Sequence, residues 1–395
     1  MGRNMNVFEL DRQYIMGTYR RQNLCIVQGS KAVCRDESGK EYIDLGSGIG
    51  VNSLGYCDFE WADAVSKQAH TLQHTSNLYY SAPDAELAQM LCEKTGYRKV
   101  LFQNSGAEAN ECAIKIARKY SADRYGEQSS RNRILTLVHS FHGRTVTTLA
   151  ATGQDAFHVH FSPFTEGFSY APANDFEAVK AILEKGGFCA VMFEPVQGEG
   201  GVIELEENFL KDTADYCAAH DILLIADEVQ TGMGRTGTLL ACEQLGVCPD
   251  VVTLAKGLGG GLPIGAVLTN EKTCSVLSYG DHGTTFGGNP VVCAGAKVVV
   301  SRVSDPSFLL EVQKKGVFLK RRLLSCEEVA GVSGRGMMLG VSLKTKEAAA
   351  VCAQCIEAGV IVLTAKNKIR LLPPLSISWE ELTEGAERFI SVLEA

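Results

Sequence analysis

Four kinds of residue that could do chemistry follow short apolar runs of this 395-residue chain: Asp227, Lys256, Phe141 and the pair Gly106-Ala107. A lysine amine can form a Schiff base with an aldehyde, and a carboxylate can keep a ring nitrogen protonated. An aromatic ring can stack on a heterocycle, and a helix start can bind phosphate through its free N–H groups. Pyridoxal phosphate is a cofactor that needs all four functions together.

The elements that must position these residues are apolar runs at 99–103, 134–138, 189–193, 222–226 and 251–255. Nearly continuous apolar residues are typical of strands that are buried on both faces. Helical spacing follows the first run, where Ser105 is a candidate N-cap and Glu108 would complete a capping box. A second helix is predicted at 207–219. The alternation predicts an α/β fold with a mostly parallel central sheet, whose carboxyl-terminal strand ends share one edge.

The last third of the chain follows a different pattern. A helix is predicted at 309–324, short strands at 337–343 and 369–372, and a final helix from Glu380 capped by Ser378. We therefore expect a large α/β domain at 46–300 with helices on both faces of its sheet. A smaller α+β domain at 301–395 would be completed by an amino-terminal segment at 1–45.

Other ligands are less favoured by the sequence. The glycine-rich stretch 257–265 has Leu262 where a dinucleotide fingerprint needs its third glycine, and it lacks the Gly-Lys-Ser/Thr of a P-loop. Asp227-Glu228 could hold Mg²⁺ or simply cap the next segment. The paired histidines lack a clear third ligand, and Cys352 and Cys355 have no second cysteine pair. No metal site is predicted.

Composition limits the partners and the compartment. The chain has 38 basic and 46 acidic residues, a net charge of −8, which argues against nucleic acid or an anionic membrane as a general partner. Its 14 cysteines are too few for a disulfide scaffold and favour a reducing compartment. The first residues do not resemble a secretory signal, and no apolar run is long enough to span a bilayer. We expect a cytoplasmic protein that acts on small molecules.

Several strings together identify a family. They are HTSNLYY (74–80), NSGAEANECAIKIARK (104–119), SFHGRT (140–145), EPVQGEGG (194–201), LLIADEVQTGMGRTG (223–237), TLAKGLGGGLPIGA (253–266) and HGTTFGGNP (282–290). In these strings, from Tyr19 to beyond Arg370, the chain resembles class III aminotransferases. The resemblance implies the fold-type I architecture, pyridoxal 5'-phosphate as cofactor, and a homodimer whose active sites lie at the subunit interface.

The resemblance also implies which residues bind the cofactor: Gly106, Ala107, Phe141, Asp227, Val229, Gln230, Lys256 and Thr285. Lys256 would be the Schiff-base lysine and Asp227 the partner of the pyridine nitrogen, so these two are the expected catalytic residues. Gln230 would reach the phenolic oxygen, and Val229 would pack on the ring face opposite Phe141. Thr285 would contact the phosphate from the other subunit.

Substrate residues follow from the same resemblance. Arg144 and Arg370 match positions that bind substrate carboxylates, and Glu199 would pair with Arg370 when no second carboxylate is present. Tyr19 and Thr284 would line the substrate pocket. The resemblance is strongest to members that transfer the terminal amino group of N-acetylornithine to 2-oxoglutarate, a reaction of arginine biosynthesis.

Alternative readings stay open at this point. Ornithine, 4-aminobutyrate, succinylornithine or succinyldiaminopimelate could be the donor, although apolar Ile49 argues against free ornithine because ornithine enzymes carry tyrosine there. A non-catalytic cofactor-binding regulator of the same fold should lack Lys256 or Asp227, and both are present. The chain departs from the family at Tyr56-Cys57-Asp58, where relatives usually read His-x-His-Pro, so the following helix is expected to begin differently.

Overall fold

A computed structural model describes residues 5–395 of the chain. Its helices are α1 Val7–Tyr14, α2 Ser47–Gly50, α3 Phe59–Thr71, α4 Ala82–Thr95, α5 Gly106–Tyr125, α6 Val146–Ala151, α7 Phe176–Leu183, α8 Glu207–Ala219, α9 Pro290–Val303, α10 Pro306–Leu324, α11 Ala348–Glu357 and α12 Trp379–Glu394. Its strands are β1 Ile26–Ser30, β2 Val33–Asp36, β3 Glu41–Asp44, β4 Lys99–Gln103, β5 Arg133–Leu137, β6 Phe168–Ala171, β7 Phe188–Phe193, β8 Val196–Gln197, β9 Ile203–Glu204, β10 Leu223–Asp227, β11 Val251–Leu254, β12 Gly265–Thr269, β13 Val329–Arg335, β14 Met338–Leu343, β15 Val360–Ile361, β16 Leu363–Ala365 and β17 Lys368–Leu371.

The central sheet has seven strands in the order β4-β12-β11-β10-β7-β5-β6. All pairs among β11, β10, β7, β5 and β6 are parallel, whereas β12 is antiparallel to both of its neighbours. The mostly parallel sheet was expected, and β12, which follows the glycine-rich stretch, was not. Because β4 runs in the same direction as the parallel strands, its carboxyl end lies at the same edge as theirs.

Burial differs between the strands of this sheet. Strands β7, β10 and β11 are buried along their whole length, as continuous apolar runs require. Strand β4 was expected to be buried on both faces, and this prediction is wrong, because Lys99 and Leu101 are exposed. Strand β4 lies at the edge of the sheet, where β12 is its one neighbouring strand. Lys99 and Leu101 point to the same face of the sheet, which is open to solvent at this edge.

Two further four-stranded sheets lie outside the central one. One has the order β13-β14-β17-β16 and comes entirely from the last third of the chain. The other joins β1, β2 and β3 to β15 of the last third, through a parallel pair between β3 and β15. This pairing supports the proposal that the amino-terminal segment completes a small domain with residues 301–395. The first four residues of that proposed segment lie outside the described residues.

Helix starts follow local sequence signals. Helix α3 begins at Phe59 because the carboxylate of Asp58, in the segment that departs from the family, accepts the N–H of Trp61. Helix α12 begins with a complete capping box between Ser378 and Glu381. None of the helices in residues 5–395 has the length and apolar character needed to cross a membrane.

The start of α5 differs from the prediction in one hydrogen bond. Ser105 caps the helix as expected, since its Oγ accepts the N–H of Glu108. The expected capping box is wrong, because the Glu108 carboxylate accepts the N–H of Asn104 at 2.8 Å instead of that of Ser105. The chain turns sharply before the helix and brings the Asn104 amide within reach of the carboxylate.

Candidate active site

A cavity of about 470 Å³ lies where the parallel strands of the central sheet end. Its lining includes residues that follow β4, β5, β10 and β11, among them Gly106, Ala107, Phe141, Arg144, Asp227, Val229, Gln230 and Lys256. The first turn of a helix, a carboxylate, an amine and an aromatic ring therefore meet in one place. An open parallel sheet places ligands at this edge.

Asp227 is held at the end of β10 by three donors. Its Oδ2 accepts hydrogen bonds from Asn110 Nδ2 at 2.7 Å and from His142 Nδ1 at 2.8 Å. Its Oδ1 accepts the backbone N–H of Val229 at 3.0 Å. The carboxylate is buried, so it is desolvated and fixed in orientation, which suits a group that must hold a positive charge beside it.

A second layer of contacts fixes these donors. Thr253 on β11 donates to Asn110 Oδ1 at 2.7 Å, and Asn110 Nδ2 also donates to the carbonyl oxygen of His142. Because a carboxylate can only accept, His142 must carry its proton on Nδ1. Sequence reasoning missed Asn110, His142 and Thr253 as functional residues. Their signals in the sequence are weak. Asn110 is one polar residue on the inner face of α5, and His142 stands out only as one of the paired histidines that lack a third metal ligand.

Lys256 follows β11 and has a left-handed backbone, with φ of 43°. Its side chain lines the cavity and has no hydrogen-bond or ion-pair partner among residues 5–395. Burial lowers the pKa of Lys256, and the nearby carboxylate of Glu199 opposes this effect without cancelling it. A lowered pKa increases the fraction of uncharged amine, which is the nucleophilic and basic form.

The first turn of α5 presents an anion site to the cavity. The N–H groups of Gly106 and Ala107 have no acceptor within the described part of the chain, as geometry dictates for a helix start. A Cβ at Gly106 would lie 2.7 Å from a methyl group of Val229, so only glycine fits there. Unpaired N–H groups and the positive end of the helix dipole favour a phosphate.

The wall of the cavity at Phe141 is fixed by a buried acid. Glu194, just after β7, accepts the N–H of Phe141 at 2.8 Å and that of Gly198 at 3.3 Å. Burial raises the pKa of Glu194 well above its ordinary value, and the charge of Asp227 adds to this effect. Glu228, which was considered as a Mg²⁺ ligand, instead accepts the N–H groups of Ala241 and Cys242 and holds the loop after β10.

Two arginines are placed differently at the cavity. Arg144 lines it, lies 4.0 Å from the centre of the Phe157 ring, and has no acidic partner among the described residues. Arg370 on β17 is buried, and its guanidinium donates to Glu199 Oε1 at 2.5 Å and to Gln230 Oε1 at 3.0 Å. Burial raises the pKa of Glu199, but the charge and hydrogen bond of Arg370, with smaller effects of Lys256 and Gln230, together outweigh burial and leave the pKa below its ordinary value. Glu199 is therefore ionised and neutralises Arg370.

Two predicted site residues, Tyr19 and Thr285, lie apart from this cavity in the single chain, and a third, Thr284, lies next to it. Tyr19 is 75% exposed, in an irregular segment before β1. Thr285 is exposed and lines a separate small pocket with His74 and Asn77. Thr284 accepts a hydrogen bond from Asn104 Nδ2 at 2.9 Å, next to the start of α5. The structure thus brings together the cofactor residues Gly106 to Lys256, but not Tyr19 or Thr285.

Comparison with known proteins agrees with this geometry. Residues 15–393 match the family model described as aminotransferase class-III. The chain belongs to the class-III aminotransferases. An acetylornithine aminotransferase from Haemophilus ducreyi is 50% identical over 386 residues, which cover 98% of each chain. The family confirms both the fold-type I architecture and a pyridoxal-phosphate-dependent transaminase.

Solved structures extend the comparison to three dimensions. The crystal structure of N-acetylornithine aminotransferase from Stenotrophomonas maltophilia is 35% identical with a TM-score of 0.85, covering 98% of both chains. A structure of ornithine aminotransferase from Toxoplasma gondii has a TM-score of 0.92 at 32% identity, covering 98% of this chain and 93% of that one. Pyridoxal phosphate partly occupies its active site.

The residues of this class-III aminotransferase fit pyridoxal phosphate. The unpaired N–H groups of Gly106 and Ala107 suit its phosphate, and the unpaired amine of Lys256 suits its aldehyde. Asp227, already held by three donors, suits its ring nitrogen. The phosphate, the aldehyde and the ring nitrogen of the cofactor therefore each have a complementary group in one cavity.

Proposed function

We propose that this class-III aminotransferase moves the terminal amino group of N-acetylornithine to 2-oxoglutarate, giving N-acetylglutamate semialdehyde and glutamate. The observation that carries the proposal is the ion pair between the buried Arg370 and Glu199, at 2.5 Å, beside the Lys256 cavity. Such a pair lets one site accept two substrates that differ by a carboxylate. The sequence identity to acetylornithine aminotransferases supports the choice of donor.

The chemistry of the cofactor sets the task of the protein. When bound, pyridoxal phosphate links covalently to amines and withdraws electrons from the carbon that carries the amino group. Gly106 and Ala107 would hold its phosphate through their N–H groups, and Phe141 and Val229 would pack against its ring. Asp227 would hold the positive charge at the ring nitrogen, because Asn110 and His142 fix the orientation of its carboxylate.

Lys256 has two successive roles in the proposal. Its Nζ would hold the aldehyde of the cofactor until the amine of the substrate replaces it. The free Nζ would then take the proton from the substrate carbon as a general base and give it back as a general acid. Burial lowers the pKa of Lys256, which favours the uncharged form required for the first transfer.

The arginines orient the substrates. Arg144 is unpaired and binds the α-carboxylate of N-acetylornithine, while Glu199 neutralises Arg370. When 2-oxoglutarate enters, its second carboxylate replaces Glu199 on the guanidinium of Arg370, which can bind a carboxylate bidentately. An acylated α-nitrogen carries no charge and therefore needs no charged partner in the protein. An apolar residue such as Ile49, which could not pair with an ammonium group, is compatible with such a donor.

A second copy of the chain would complete the site. Tyr19 and Thr285 are exposed and lie away from the cavity of their own chain. Helix α1 buries none of its residues, and Tyr79 and Tyr80 are also exposed. These exposed residues support a homodimer in which Thr285 contacts the phosphate bound by the partner, while Tyr19 contributes to a substrate pocket.

The decisive experiment compares amino donors. Initial rates with N-acetylornithine, N-succinylornithine, ornithine and 4-aminobutyrate are measured against 2-oxoglutarate with the purified enzyme. N-acetylornithine should exceed ornithine in kcat/KM by at least about tenfold, which requires ~1.4 kcal/mol of differential binding in the transition state. If ornithine or 4-aminobutyrate is the better donor, the proposed substrate is wrong although the transaminase class stands.

A further inference from the structure

An unusual backbone segment lies beside the Lys256 cavity. Four consecutive residues, Ser47 to Gly50, have positive φ values of 43°, 63°, 65° and 75°. Ile49 is β-branched, and such residues rarely adopt this left-handed conformation, so surrounding contacts must hold the segment. The next residue, Val51, lines the cavity.

The same segment packs against the backbone that carries Lys256. A Cβ at Gly257 would lie 2.7 Å from Ser53 Oγ and 3.6 Å from the carbonyl oxygen of Gly50. Ile49 keeps 43% of its surface exposed and is therefore available to a ligand or a second chain. A shift of this segment would move Val51 and so change the shape of the cavity wall.

Asp44, at the end of β3, holds the segment in place. Its Oδ1 accepts the N–H of Gly46 at 2.7 Å and that of Ser47 at 2.9 Å. Its Oδ2 accepts the phenol of Tyr56 at 2.7 Å. The Asp44 carboxylate is buried. The hydrogen bond from Tyr56 to Oδ2 therefore helps to fix the orientation of Oδ1.

Tyr56 is itself locked against β1 and its turn. The backbone N–H of Tyr56 donates to the carbonyl oxygen of Lys31 at 2.7 Å, and the N–H of Lys31 donates to the carbonyl oxygen of Tyr56 at 3.0 Å. A Cβ at Gly29 would lie 2.5 Å from Cγ of the Tyr56 ring, so the ring fits only because residue 29 is glycine. Burial raises the pKa of Tyr56, so the phenol keeps its proton and remains a donor.

We propose that Tyr56 is a positioning residue for the amino donor: through Asp44 it fixes the left-handed segment Ser47–Gly50 and thereby the place of Val51, the next residue, in the wall of the cavity. The inference rests on the proposed function for the identity of the donor. Arg370 is held separately by Glu199 and Gln230. The effect should therefore fall on the donor and not on 2-oxoglutarate.

Two variants and a matched control test the proposal. Tyr56→Phe removes the hydrogen bond to Asp44, and Gly29→Ala keeps the phenol but pushes the ring away from its position. Tyr42→Phe is the control. The Tyr42 phenol also donates to a carboxylate at 2.7 Å, that of Asp36, and Tyr42 lies on β3, the strand that carries Asp44. Asp36 does not contact the segment Ser47–Gly50. If Tyr56→Phe does not fold, Gly29→Ala decides the test.

The readouts are steady-state constants for both substrates and hydrogen exchange of the Gly46 and Ser47 amides. Both variants should raise KM for N-acetylornithine about three- to tenfold, with kcat and the KM for 2-oxoglutarate within about twofold. The two amides should exchange faster than in the wild type. The control should leave the donor KM and both amides unchanged, even where its melting temperature falls.

Two results would overturn the proposal. One is an unchanged donor KM in the variants, and the other is an equal rise for both substrates, which indicates a general loss of structure. Failure of the proposed function is seen separately, because the wild type would then not turn over N-acetylornithine. The same comparison is in that case made with the donor that the wild type uses.

Discussion

The Arg370–Glu199 pair yields a prediction for the variant Glu199→Gln. In the wild type, Glu199 Oε1 accepts from Arg370 at 2.5 Å and from Gln230 Nε2 at 3.4 Å. Glutamine has the same size and can still accept from Arg370, but it carries no charge. A dicarboxylate must displace Glu199 to reach Arg370, whereas the donor leaves the pair intact. The substitution should therefore strengthen dicarboxylate binding and change donor binding little.

The size of the effect follows from the burial of the two partners. Removing one partner of a fully buried ion pair costs about 3–5 kcal/mol. Arg370 is 4% exposed, but Glu199 is 29% exposed and the glutamine amide keeps one hydrogen bond. We therefore take about half of that range, ~1.5–2.5 kcal/mol, which corresponds to about 10- to 60-fold in a dissociation constant.

Glutarate provides the assay, because it carries two carboxylates and does not react. Its dissociation constant, from titration of the cofactor absorbance, should fall about 10- to 60-fold in Glu199→Gln. The matched control is Glu204→Gln: Glu204 pairs with Arg335 at 3.2 Å, its 31% exposure matches the 29% of Glu199, and its arginine is 28% exposed and does not line the cavity. Unchanged glutarate affinity in Glu199→Gln, or an equal gain in the control, would refute the reasoning.

Three further predictions concern the cofactor, the donor and the dimer. Asp227→Asn should keep bound cofactor but lose about two to three orders of magnitude in kcat, ~3–4 kcal/mol, because an amide cannot hold the positive charge at the ring nitrogen; near-normal turnover would contradict this role. Arg144→Ala should raise KM for N-acetylornithine more than for 2-oxoglutarate, which keeps Arg370, so equal increases in initial-rate assays would count against it. Mixing inactive Lys256→Ala chains with chains inactivated by a bulky residue at Thr285 should restore activity, because one site per heterodimer is intact. Absence of activity in mixtures shown to contain heterodimers would argue against a shared site.

The sequence allowed prediction of the sheet and of the residues at its edge because both depend on local patterns. Buried strands such as β10 and β11 are continuous apolar runs, and the polar residues after them, Asp227 and Lys256, must meet wherever parallel strands end. The antiparallel strand β12 could not be predicted, since the direction of a strand depends on its partners. The glycine-rich stretch before β12 gave no signal for the reversal.

The contacts that tune the site were also beyond local patterns. Asn110 and His142 are 117 and 85 residues away from Asp227 in the sequence, although their side chains contact it. Polar residues at such positions, on a helix or after a strand, are common in proteins and usually have no catalytic role. The left-handed segment at Ser47–Gly50 includes Ile49, a residue type that argues against that conformation. Only the packed structure shows that Asp44 and Tyr56 hold it.

The central claim is that Lys256 is the amine that binds the cofactor in this cavity. Its most direct test is reduction of the purified, yellow enzyme with borohydride, followed by peptide mapping of the labelled lysine. Lys256 should carry the label, because among the residues lining the cavity it is the lysine beside Asp227 and the start of α5. A label on any other lysine, or an unlabelled Lys256 in enzyme that retains its cofactor, would contradict the assignment.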